Sequence, residues 1–180
     1  MALNSTPGDP NATSLVSETE AETYMAMILP TYSTAWTSAT QAVKDAALQQ
    51  ATMLMFPLPW IGRRASQTQP LCWPRVPAIS FNPAYAFGYG LTGGLLDKDL
   101  YPIDQTTVPQ IVKNACIEFA FRLLSEDRSD DAGGLVPDNL KLGSMQLTNV
   151  QRRPIPASVL DMLSGYLLND PRAGGMLVRG

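Results

Sequence analysis

The chain contains no histidine, only two cysteines and 16% charged residues among its 180. Each shortage closes a class of function. Without histidine, the side chain most often used for general acid–base work near neutral pH is missing. Cys72 therefore has no imidazole base to activate it as a nucleophile. Two cysteines in separate segments make neither a disulfide framework nor a metal-ligand spacing, and Cys116 falls on an apolar helix face, where a thiol acts as a small hydrophobe. There is no phosphate loop: Gly88-Tyr89-Gly90 and Gly93-Gly94 do not open a helix with a following Lys-Ser/Thr, and read as flexible turns. No apolar run approaches the roughly 18 residues needed to cross a bilayer, and the first residues lack a signal-peptide pattern. The reading is therefore not an enzyme, with no catalytic residue, no cofactor, no metal and no membrane segment.

The charge balance narrows the class further. A net charge of −3 provides no basic footprint for wrapping nucleic acid. Hydrophobic residues make up 45%, so a core is within reach of one domain without disulfides, while charge is scarce for a monomer's surface. Two explanations stay open: neighbouring subunits cover much of that surface, or Ser, Thr, Asn and Gln stand in for charge on an ordinary one.

What is present is organised around the stretch from Gln41 to Arg75. An alanine-rich helical run leads through Trp60-Ile61-Gly62-Arg63-Arg64 to Gln69-Pro70-Leu71-Cys72-Trp73-Pro74-Arg75. Two tryptophans, each followed closely by arginine, fall in a loop, where side chains of that size usually dock on something.

Along the chain, residues 1–15 are rich in Asn, Thr, Pro and Gly and read as a flexible N-terminal arm. Ser17-Glu18-Thr19-Glu20 is a capping box. It opens a helix expected to reach Leu29, with Tyr24, Met25, Ile28 and Leu29 on its apolar face and Pro30 as the stop. A second helix is expected over Ala39 to Met55, with Val43, Ala47, Ala51 and Leu54 at helical spacing; its alanines permit close approach of a neighbour. Pro57 to Thr107 holds seven prolines, five glycines and seven aromatics, too aromatic for plain disorder. Thr107 is the expected cap of a third helix that opens at Val108-Pro109 and ends near Ser125. Val108, Val112, Ala115, Cys116, Phe119 and Leu123 line one face of it; Ile117, Ala120, Phe121 and Leu124 line another. A helix apolar over most of its girth is buried on two sides: it is the centre of the domain or is shared with a neighbour. Leu140 to Val150 reads as a short β-hairpin, and Pro154 to Asn169 as a final helix.

In order, Ser17-Glu18-x-Glu20-Ala21, Gln49-Gln50-Ala51-Thr52, Trp60-x-Gly62-x-Arg64, Gln69-x-Leu71-x-Trp73-Pro74-Arg75, Val108-Pro109-x-Ile111-x-x-x-Ala115-x-x-Glu118, Leu142-Gly143 and Ile155-Pro156-Ala157-x-Val159-x-x-x-Leu163 resemble one family. It is that of the tailed-bacteriophage head–tail connector proteins, also called adaptor or head-completion proteins. Relatives are often labelled DnaT-like single-strand DNA-binding, by analogy with a primosomal protein. The resemblance covers about Val16 to Leu168. It implies a mainly α fold: a small bundle of about four helices with a long Pro- and aromatic-rich arm and a short β-hairpin, as the subunit of a ring. The connector domain is 16–169, with the long loop at 57–107, an added segment near 76–96, and a C-terminal docking tail at 170–180. The implied function is structural. A homo-oligomeric ring of twelve would sit between portal and tail in the virion neck, after assembly in the host cytoplasm. It would seal the DNA exit and offer the tail a platform. Portal protein and tail or neck proteins would be its partners, and genomic dsDNA would pass through the lumen without specific binding. The alternative is a single-stranded-DNA-binding accessory protein.

Site residues follow from these readings. Trp60, Arg63, Arg64, Trp73 and Arg75 are the expected subunit-interface residues, because tryptophan and arginine are enriched in interface hot spots; the other reading is that both indoles cap the domain's own core. Phe81, Tyr85, Phe87 and Tyr89 in the added segment suit docking of a tail protein better than stacking of DNA bases, since Val76 to Leu96 contains no Lys or Arg. Glu126, Asp127, Asp130 and Asp131 are either a solvated loop or a negative lining of the lumen. Arg172, Met176, Leu177 and Arg179 in the tail are the expected portal-docking residues.

Overall fold

The computed structural model describes residues 3–77, 95, 101–125 and 155–168, with the backbone alone for 139–142 and 145–148. Five α-helices are found in this part: α1 (Glu18–Met25), α2 (Thr34–Ser38), α3 (Gln41–Met55), α4 (Gln110–Ser125) and α5 (Ala157–Leu163), the last running into a 3-10 turn at Ser164–Tyr166. Two small antiparallel ladders accompany them. Strands β1 (Arg63–Arg64) and β2 (Arg75–Val76) pair with Arg63 opposite Val76. Strands β3 (Asn139–Leu142) and β4 (Met145–Thr148) form the hairpin expected near Leu140. The fold is thus mainly α with minor β.

Helix α4 is the centre, packed against α1, α2, α3 and α5. Val112, Ala115, Cys116, Ile117, Phe119 and Ala120 are all buried, which resolves the two-sided apolar pattern in favour of a central helix. The contact with α3 is close because Ala47 and Ala51 face it. The Cys116 Sγ lies 4.0 Å from the Leu48 carbonyl oxygen and 3.5 Å from the Thr52 Oγ1. The buried stripe of α3 is Ala47, Leu48, Ala51, Thr52 and Met55, which turns Val43 outward, contrary to the expected stripe.

Helix boundaries differ from expectation at α1, at α4 and at α5, which covers only Ala157–Leu163 and is shorter than the expected final helix. At α1, Ser17 and Glu20 form the full capping box, a feature contributing about 1 kcal/mol. The helix ends at Met25, however, and Leu29 is exposed instead of sharing its apolar face. At α4, the helix starts at Gln110, and the Thr107 hydroxyl donates to Asp104 instead of capping it. A short helix, α2, precedes α3 and buries Trp36.

The N-terminal segment is a strap, not a loose arm. Ala12, Leu15 and Val16 are buried. Thr13 and Ser14 donate their amides to the Asn4 carbonyl, and the Leu15 amide donates to Thr52 Oγ1 at 3.2 Å. The polar composition of this segment serves its own turn, since Asp9 accepts from Asn4 and Asn11.

Candidate interaction surfaces

The loop after α3 folds back on the subunit. Residues 59–61 run antiparallel to the chain after α5: Ile61 donates to the Tyr166 carbonyl, and Leu168 to the Pro59 carbonyl at 2.7 Å. Trp60 and Trp73 enter the core there. Both are at most 3% exposed, and their rings meet edge to face with centroids 5.8 Å apart. Tyr166 meets the other side of Trp73, also edge to face at 5.8 Å. The Trp60 indole N–H donates to the Met55 carbonyl at 3.0 Å, which ties the loop to the end of α3. The Trp73 N–H has no partner among the described residues.

Arg75 organises the loop's backbone. Its Nε and Nη2 donate to the carbonyls of Ile61 and Gly62, both at 2.6 Å, and its Nη1 donates to the Cys72 carbonyl at 3.0 Å. Burial holds the guanidinium below the usual arginine range, with Arg64 nearby adding to the effect. Buried Gln69 holds the neighbouring turn: its amide donates to the Leu71 and Pro74 carbonyls and its oxygen accepts from the Ser66 amide.

This geometry corrects part of the expected interface. Trp60 and Trp73 are core side chains of their own subunit and present no surface to a neighbour. Each of the three Arg75 nitrogens donates to a carbonyl of its own loop. Arg64 is half-buried, donates one Nη to the Gln69 carbonyl at 2.7 Å, and lies over the Phe56 ring at 5.8 Å. Arg63 alone of the five is exposed. Phe81, Tyr85, Phe87, Tyr89, Glu126, Asp127, Asp130, Asp131, Arg172, Met176, Leu177 and Arg179 all lie outside the described residues.

The exposed apolar side chains are different ones. Met27, Leu29 and Tyr32, between α1 and α2, are 75%, 65% and 69% exposed. Grooves run on both sides of this segment, one lined by Tyr24, Met27 and Asn114, the other by Leu29, Tyr32 and Phe121. A separate groove is lined by Thr52, Met53, Phe56, Pro70 and Leu71 and shares no residue with those two. Met53 there is 72% exposed. The sequence held a signal for these: Met53 falls off the α3 stripe, on the far side of the helix from Ala47 and Ala51.

Charge separates the two faces. Lys44 pairs with Glu22, Lys113 with Glu20 and Arg122 with Glu118. Lys44 also lies 5.4 Å from the Trp36 ring centre, and the Trp36 N–H donates to Glu22. Among the described residues, Arg63, Arg64 and Arg75 make no ion pair, and all three lie on the β1–β2 ribbon. The two thiols are unreactive by position: burial pushes Cys72 and Cys116 up to about 12. Among the described residues no group of three or more His, Cys, Asp or Glu is placed to hold a metal, and no helix is long and apolar enough to cross a membrane.

Residues 1–86 match the model of a family described as "Putative DnaT-like ssDNA binding protein". That span takes in the strap, α1 to α3 and the ribbon, and stops before α4. Comparison with curated proteins and with solved structures returned no match.

Proposed function

We propose that this chain is a structural subunit that acts by assembling with copies of itself and with other virion proteins, as the ring between portal and tail of a tailed bacteriophage. The observation that carries this reading is the pair of separate apolar faces left outside a well-filled core. A ring needs two different faces on each subunit, because a head-to-tail contact repeats around the circle until rotation closes it. Exposed patches of Met, Leu and aromatic residues are the ordinary mark of protein contacts. The buried thiols and the lack of histidine leave catalysis outside the proposal. The test is co-assembly: purified chain mixed with the portal protein should give a stoichiometric complex on a sizing column. A chain that elutes alone at every ratio counts against the reading.

A second reading, binding of single-stranded DNA, has its own support. The family match over residues 1–86 speaks for it and not for the neck ring. Arg63 and Arg64 beside the partly exposed Phe56 would suit a phosphate and a stacked base. Against it, Trp60, Trp73 and Tyr166 are turned inward on one another, and each of the three Arg75 nitrogens already donates to a carbonyl of its own loop. Titrating an oligo-dT strand at several salt concentrations separates the two: tight binding that falls steeply with salt would favour this second reading.

A further inference from the structure

The ribbon face and the α1–α2 face are complementary in charge, and each carries exposed apolar side chains. Among the described residues, Arg63 is exposed and makes no ion pair, and Arg64 has no carboxylate partner. Beside them lies the groove of Met53, Phe56, Pro70 and Leu71. Outside the ribbon the described side chains include three basic ones (Lys44, Lys113 and Arg122) against eight acidic ones, a net −5, and a second copy is an acidic partner for it. The α1–α2 face is the part of that copy equipped to dock. Helix α1 carries Glu18, Glu20 and Glu22 with no basic residue in its last turn, and among the described residues the exposed Glu18 makes no ion pair. Met27, Leu29 and Tyr32 follow as exposed apolar anchors.

We propose that the α1–α2 face of one copy, through Met27, Leu29, Tyr32 and Glu18, docks on the ribbon face of the next, through Met53, Phe56, Arg63 and Arg64. This rests on the assembly reading and supplies its contact. The contact is head to tail, because the two faces share no residue; an isologous dimer would need one face to meet itself. The apolar groove favours a protein occupant over nucleic acid, which would need a track of free cations. The ribbon has only Arg63 and part of Arg64 to offer.

The experiment uses the full chain and light scattering. Met27→Asp and Met53→Asp each block one face; both side chains are solvent-exposed, and unchanged melting temperatures confirm folded variants. Each variant alone should self-associate at least about tenfold more weakly than the unaltered chain. Mixed together, they should form a 1:1 dimer and nothing larger, since each retains the face the other lacks. Arg63→Glu should weaken association, and adding Glu18→Arg should restore part of it. A blocked variant that assembles like the unaltered chain overturns the proposal, as does an unaltered chain that stays monomeric at its highest soluble concentration. A monomer that binds oligo-dT and loses that binding on Arg63→Glu reassigns the ribbon to nucleic acid. Assembly with portal that survives both blocks sinks this contact while leaving the neck reading standing.

Discussion

Trp60 and Trp73 meet edge to face at 87° with their centroids 5.8 Å apart, and neither ring reaches solvent. Tyr166, which meets the other side of Trp73 edge to face, joins this pair in the loop after α3 to the 3-10 turn at Ser164–Tyr166. These contacts make the loop part of the core and not an arm held out to a neighbour.

Removal of Trp73 should therefore act on folding. Trp73→Ala empties a fully buried site and should lower stability by about 3–5 kcal/mol, read from urea unfolding. Trp73→Phe, which keeps an aromatic ring there, should recover part of the loss. A Trp73→Ala chain as stable as the unaltered one would show that the indole is not core.

Arg75 should be equally hard to replace. Arg75→Met leaves the carbonyls of Ile61, Gly62 and Cys72 without their donor, a loss of about 1–3 kcal/mol or more. Arg75→Lys should not rescue it, because a single ammonium cannot copy the planar fork. Thermal melts of the two variants decide the point.

Gly62 holds φ +67°, and a Cβ there would press on the Val76 carbonyl oxygen and on the Leu95 methyls. Gly62→Ala should cost about 1–3 kcal/mol through backbone strain alone and should open the β1–β2 ribbon, seen as faster hydrogen exchange at Ala65, whose amide donates to Pro74.

The α1–α4 tie should be pH-dependent. Burial alone would raise the Glu20 carboxyl, but the Lys113 ammonium and the Ser17 hydrogen bonds outweigh it and hold Glu20 below its ordinary 4.5. A carboxyl depressed in the folded state contributes stability that is fully present above 4.5 and is lost as pH falls through the folded value. Melting temperatures of the unaltered chain and Glu20→Gln should thus differ at neutral pH and converge in acid. The gap should be small, because the pair is partly exposed.

Both thiols should resist labelling in the native protein. With Cys72 and Cys116 buried and pushed up to about 12, a disulfide reagent at pH 8 should react with neither until denaturant is added. Immediate labelling of either would contradict the packing of α4 on α3 and of the loop on the core.

Features set by neighbours in sequence were legible before the fold was known. The capping box at Ser17 and Glu20, the two-sided burial of α4 and the hairpin near Leu140 all follow from local pattern. Features set by distant partners were not. Leu15 is fixed by Thr52, thirty-seven positions away, so a polar stretch read as an arm is a strap. The tryptophans read as interface anchors because size and a flanking arginine do not reveal which way a side chain turns; Met55, whose carbonyl receives the Trp60 N–H, and Ile61 and Gly62, whose carbonyls receive Arg75, do. The exposed apolar side chains of the two faces are consequently the less conspicuous Met27, Leu29, Tyr32, Met53 and Phe56.

The most direct measurement is the mass of the species that the purified chain forms with portal protein, with an oligo-dT strand as the competing ligand. The account predicts a closed, stoichiometric complex with portal and weak attachment to the strand. A chain that ignores portal, stays monomeric and holds the strand tightly with a steep salt dependence would contradict it.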